Sequence, residues 1–84
     1  MRYILDGKQM VSKEETHLYL QETFGFPAYY GKNLDALYDC LTEMREMEVE
    51  FRNTEEMLTT LGRYGENLLD VFREAETVWL EINE

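Results

Sequence analysis

Residues 47–52, Met-Glu-Val-Glu-Phe-Arg, alternate strictly between apolar and charged side chains. Only an extended backbone sends every second side chain to the same face, so this segment reads as a strand with one face buried and one wet. Its neighbours constrain the fold further. Helical signatures lie on both sides of it, so no hairpin partner is at hand. Strands joined through helices return in the same direction, and the sheet they build is parallel. Segment 47–52 also reads as an exposed edge that can pair with another chain, although its charged residues oppose that.

The other elements follow from similar signals. Tyr3-Ile4-Leu5 before Asp6-Gly7 predicts a short strand ending in a turn, apolar on both faces and so covered on both. Ser12 and Glu15 form a capping box for a helix that runs to about Phe24, with Gly25 as the left-handed residue past its end and Pro27 preventing resumption. Asn33 caps a second helix over about 34–44. Asn53 and Glu56 repeat the capping pattern for a short third helix carrying Met57, Leu58 and Leu61, which Gly62 ends. Leu68, Val71, Phe72 and Ala75 mark a fourth helix, and residues 77–82 a last strand. The order is β-α-α-β-α-α-β, an α/β fold in one domain over residues 1–84.

Charge narrows the function. There are 18 Asp and Glu against 8 Lys and Arg in 84 residues, a formal net charge of -10. Such a field repels nucleic acid and anionic membrane and attracts basic proteins or cations; it is also what a surface kept for solubility carries. Direct nucleic-acid binding and membrane association are not expected. Cys40 is the only cysteine, so no internal disulfide forms. Asp6 ends the first apolar run too early for a signal peptide, and no stretch approaches the length of a membrane-spanning helix. A cytoplasmic protein is expected.

The informative stretch is Phe26–Thr42. On a helix starting at Leu34, the residues Leu34, Leu37, Leu41 and Met44 form a core stripe. Asp35, Tyr38, Asp39 and Thr42 stand at i, i+3, i+4, i+7 and form a second, exposed stripe. Tyr29 and Tyr30 precede it in a loop flanked by Pro27 and Gly31, where they cannot all be core. Exposed tyrosines beside carboxylates suit protein recognition: the rings give contact area and the acids pair with Arg, Lys or protonated His. Asp35 has a second explanation in the helix dipole, since it sits in the first turn, and Asp39 has one as part of a solvated helix face.

The run Tyr-Tyr-Gly-x-Asn-Leu-Asp-Ala-Leu-x-Asp-Cys-Leu-Thr over 29–42 closely resembles the signature of the barstar family. So does Val71-Phe72-Arg73-Glu74-Ala75, and the likeness in length and element order covers nearly the whole chain. The resemblance implies a barstar-like fold, a small three-stranded parallel sheet packed against about four helices. It also implies an intracellular inhibitor of a secreted, basic guanyl-type ribonuclease, barnase-like, whose active site the second helix and its preceding loop would cover. By that likeness Asp39 would occupy the place of a substrate phosphate, and Asp35 would pair with a neighbouring basic group. Tyr29 would stack against the catalytic region, with Tyr30 beside it in the contact loop. Tyr38 and Thr42 would add contacts, and Glu74 would supply a peripheral acid. Gly31 and Asn33 would shape the loop and begin the helix. No cofactor, metal or catalytic residue is implied, and the free protein would be a monomer. Three features depart from the family's pattern: Tyr38 stands where a Trp is familiar, Glu43-Met44 replaces a Gly-Trp pair, and the link between the last two helices is shorter.

The remaining chemistry-bearing residues have plainer readings. His17, near Leu20 and Phe24, reads as a packed histidine, because no nucleophile or ligand pattern accompanies it. Cys40 reads as an inert buried thiol and Trp79 as sheet packing. An enzyme would need Asp35 and Asp39 as an acid/base pair, or with Glu43 as cation ligands, together with a pocket and a complementary base. The other alternative keeps the fold and changes the partner, to another basic protein or a toxin.

Overall fold

The computed structural model of the protein describes residues 1–83. Strands β1 (Arg2–Asp6), β2 (Met47–Arg52) and β3 (Val78–Asn83) alternate with pairs of helices, α1 (Lys13–Phe24) and α2 (Leu34–Glu43), then α3 (Thr54–Leu61) and α4 (Arg63–Glu74). The sheet order is β1-β2-β3 and both pairings are parallel. The predicted architecture is the observed one. One expectation is corrected: β2 is the central strand, not an edge, because it pairs with β1 along one side and β3 along the other.

Side-chain alternation sets the two faces of the sheet. Tyr3, Val49 and Leu80 stand abreast in the register, as do Leu5, Phe51 and Ile82. Leu5 and Phe51 are fully buried there, and with Leu20, Leu37, Leu41, Met57, Leu68 and Phe72 they form one core between sheet and helices. The opposite face is open. Ile4 is 45% exposed and Trp79 67% exposed on it, so β1 is covered on one side only and Trp79 is not sheet packing as the sequence suggested.

On that open face Glu50 is nevertheless buried, contrary to the wet alternation expected of β2. Its carboxylate is covered by hydrogen-bonding side chains rather than by apolar packing, accepting from Arg52, Arg2 and Asn83. Chiefly through Arg52, and also through Arg2 and Asn83, these donors hold the Glu50 carboxyl down at about 2.

The helix ends follow local rules with one exception. Ser12 accepts from the Glu15 amide at 3.1 Å, and Gly25 closes α1 at a φ of 70°, where a side chain would be strained. Asn53 precedes α3 but does not cap it with its side chain. Its amide instead donates to Asp6 across 2.8 Å, joining the ends of β1 and β2. Gly7 lies against the same corner, where an added Cβ would meet the Asn53 carbonyl oxygen at 2.2 Å. Gly62 is the single residue between α3 and α4.

Candidate protein-binding face

The chain after α1 is pinned from inside. Phe26 stacks on Phe24 with ring centroids 5.4 Å apart, and Tyr30 tilts against Phe26 at 4.9 Å. The Tyr30 amide and the Gln21 side chain both donate to the Pro27 carbonyl, each at 2.9 Å. With Phe26 and Tyr30 turned inward, Tyr29 is turned outward and is 88% exposed.

The two tyrosines therefore part company. Tyr30 is only 5% exposed and its hydroxyl is bonded to His17, so its side chain belongs to the core and not to the exposed contact loop in which the sequence placed it. Gly31 packs closely, since an added Cβ would lie 3.1 Å from that of Ala36, but the left-handed turn falls on Lys32 at a φ of 54°. Asn33 begins α2 as expected, accepting from the Ala36 amide at 2.7 Å.

Leu37 and Leu41 anchor α2 in the core, and Asp35, Tyr38, Asp39 and Thr42 are all exposed on its outer side. Thr42 turns its hydroxyl back to the Tyr38 and Asp39 carbonyls at 3.0 Å, which leaves its oxygen lone pairs outward. The helix stops at Glu43, where Met44 becomes extended.

A shallow depression of about 480 Å³ separates α2 from α4. Asp35, Tyr38, Asp39 and Glu74 line it, with Leu34 and Val71 as apolar members. Across α2, a smaller depression of about 220 Å³ brings Tyr29 together with Cys40 and Glu43. Glu74 and Tyr29 thus frame the acidic helix from opposite flanks. Sequence reasoning missed Leu34 and Val71 as lining and Glu43 as part of this face; Glu43 was legible as the next step in the series Asp35, Asp39.

None of Asp35, Asp39, Glu43 or Glu74 makes an ion pair among the described residues. Arg73, beside Glu74 in sequence, pairs with Asp70 at 3.2 Å instead. The result is an exposed face, ridged by α2 between two shallow depressions, with four carboxylates and two tyrosines. Such side chains can pair with positive charge and stack on aromatic or guanidinium planes. Among the described residues no three His, Cys, Asp or Glu side chains converge as a metal site, so Asp35, Asp39 and Glu43 do not form one. Nor is any described helix long and apolar enough to cross a membrane.

The profile of the family described as "Barstar (barnase inhibitor)" matches residues 1–84. The chain belongs to the barstar family. A relative in Bacillus subtilis (strain 168), named "Putative ribonuclease inhibitor YrdF", is 39% identical over 77 residues, spanning 89% of this chain and 85% of that protein. The family's three parallel strands and supporting helices are those described above. In this barstar-family chain Tyr38, 38% exposed, holds the middle of the outer helix face.

Proposed function

We propose that this protein is an intracellular inhibitor of a secreted, basic, barnase-like guanyl ribonuclease, docking α2 and the Tyr29 loop over the enzyme's active site. Family membership and the name of the Bacillus relative support ribonuclease inhibition as the activity. The observation that carries the mechanism is the gathering of Asp35, Tyr38, Asp39 and Glu74 around one open depression, none of the three acids being held in an ion pair among the described residues.

An enzyme that binds a polyanion presents a positive groove, and a carboxylate-rich helix face is attracted to it and pairs with it. In this reading Asp39 stands in for a substrate phosphate. Asp35 and Glu74 pair with flanking basic groups, and Tyr29 and Tyr38 supply ring contacts. Gly31 and Asn33 act indirectly by shaping the approach to α2, Asn33 through its side-chain cap. The protein catalyses nothing itself.

The test is RNA cleavage by a barnase-like ribonuclease titrated with this protein, with Asp39→Ala beside it. Inhibition at one-to-one stoichiometry by the wild type is expected. The variant should bind more weakly by ~3 kcal/mol or more, as when one member of a desolvated ion pair is removed. Inhibition unchanged by Asp39→Ala would refute the phosphate-mimic role. No inhibition by either would leave the acidic face to another basic protein, to be sought by pull-down.

A further inference from the structure

His17 takes no part in the proposed binding face, yet it is the most enclosed titratable group of the helical layer, at 1% exposed. Both of its ring nitrogens are used. Nδ1 lies 2.7 Å from the Tyr30 hydroxyl and Nε2 lies 2.6 Å from the Tyr64 hydroxyl. The three residues come from α1, the loop before α2, and the first turn of α4. The imidazole meets the Tyr64 ring nearly edge-on, at 78° and 6.0 Å, and the Tyr30 ring at 51° and 5.8 Å.

The direction of the chain follows from burial. Tyr30 is 5% exposed, and His17 is the one side-chain partner of its hydroxyl among the described residues. A phenol that only accepted there would leave its own O–H unpaired in the core, which is costly. Tyr30 therefore donates to Nδ1. Nε2 then carries the proton and donates to Tyr64, whose half-buried hydroxyl keeps its own proton for water. Burial pushes the His17 pKa down, consistent with a neutral ring.

We propose that Tyr30–His17–Tyr64 is a polarised hydrogen-bond strut that fixes the Tyr29 loop against α4, making His17 and Tyr64 positioning residues for the binding face. Tyr29 flanks α2 on one side, and Glu74, at the far end of α4, flanks it on the other. A rigid tie from α4 to the loop sets the spacing between these flanks. The importance of that spacing rests on the proposed function. The strut itself is a property of the free protein and is tested there, so failure of either idea is separable from the other.

Histidine ring nitrogen NMR of the free protein at neutral pH should show Nε2 protonated and Nδ1 accepting; the opposite tautomer would overturn the assigned direction. Tyr64→Phe keeps the ring and removes only the hydroxyl. It should speed hydrogen exchange at the Tyr30 amide about tenfold, the effect of losing roughly one hydrogen bond, with the Phe51 amide of the central strand changed less than about twofold. Tyr30→Phe, which breaks the other end, should release the same loop. Loop exchange that is unmoved in Tyr64→Phe, or that rises only in step with Phe51, would overturn the strut.

Discussion

The Thr77 hydroxyl donates to the Leu41 carbonyl oxygen across 2.7 Å, so the last turn of the acidic helix is tied to the residue that leads into β3. The Thr77 carbonyl in turn accepts from the Met47 amide at 2.8 Å. The end of α2 and the start of the sheet are thereby set by one residue. Thr77→Val keeps the shape and removes the donor. It should lower stability by ~1 kcal/mol, read as a shift in denaturant midpoint at unchanged slope.

Two acids on α4 separate local from general electrostatics. Glu74→Gln and Asp70→Asn change the net charge equally, but Glu74 lines the depression beside Asp39 while Asp70 is paired with Arg73 elsewhere. Stopped-flow association with a barnase-like ribonuclease should slow severalfold for Glu74→Gln and hardly at all for Asp70→Asn. The difference should shrink as salt is raised. Equal slowing would mean that net charge alone steers the encounter.

Glycine substitutions should rank by what their methyl group meets. At Gly7 an added Cβ would come within 2.2 Å of a backbone oxygen, and at Gly31 within 3.1 Å of a side-chain carbon. Gly7→Ala should cost ~2 kcal/mol or more and Gly31→Ala clearly less, as thermal midpoints would show. The reverse order would place the tight corner wrongly.

Acid should destabilise the protein in two windows. Unfolded His17 takes up a proton near its ordinary pKa of 6.5, whereas in the folded state burial lowers that pKa. The unfolded chain therefore binds more protons, and stability declines as pH falls below 6.5 until the folded value is reached. Glu50 acts lower down. Its folded pKa of about 2 lies beneath the ordinary 4.5, so its contribution is present above 4.5 and is lost as pH falls toward 2. Denaturant midpoints against pH should show both declines. His17→Gln should remove the first, and Glu50→Gln should flatten the second.

Trp79 is the only tryptophan and is 67% exposed on the open sheet face. Its fluorescence should be water-like and freely quenched by acrylamide in the native state, with quenching little changed on unfolding. Trp79→Thr should stay within ~0.5 kcal/mol of the parent. Native emission shielded from acrylamide would show that something covers that face.

Much of this was legible in the sequence. Helical stretches on both sides of 47–52 forced parallel pairing, and the spacing of Asp35, Tyr38, Asp39 and Thr42 forced a common outer stripe. The misreadings share one cause, which is that periodicity says which residues share a side and not what lies opposite. Ile4 and Trp79 look like core by type, yet no helix covers their face. Glu50 looks wet by alternation, yet two arginines and an asparagine fold over it. Tyr29 and Tyr30 are identical neighbours, and what turns Tyr30 inward is packing on Phe26 and a bond from its hydroxyl to His17, thirteen positions earlier in the chain. Nothing local encodes the approach of Glu74 to Asp39.

The unpaired acids of α2 also bear on how such a protein can be improved. Asp35, Asp39 and Glu43 follow one another at intervals of four, so the helix carries two like-charge neighbour pairs, each opposing helix formation by ~0.2–0.5 kcal/mol. Because the buried side of α2 rests on Leu37 and Leu41, the fold tolerates that repulsion. A search for sturdier variants of the isolated molecule would replace these acids first. Each round would select for heat resistance and against the proposed docking face together. Thermal screening of this protein must therefore be run with the partner present, or it will breed a robust molecule with nothing left to bind.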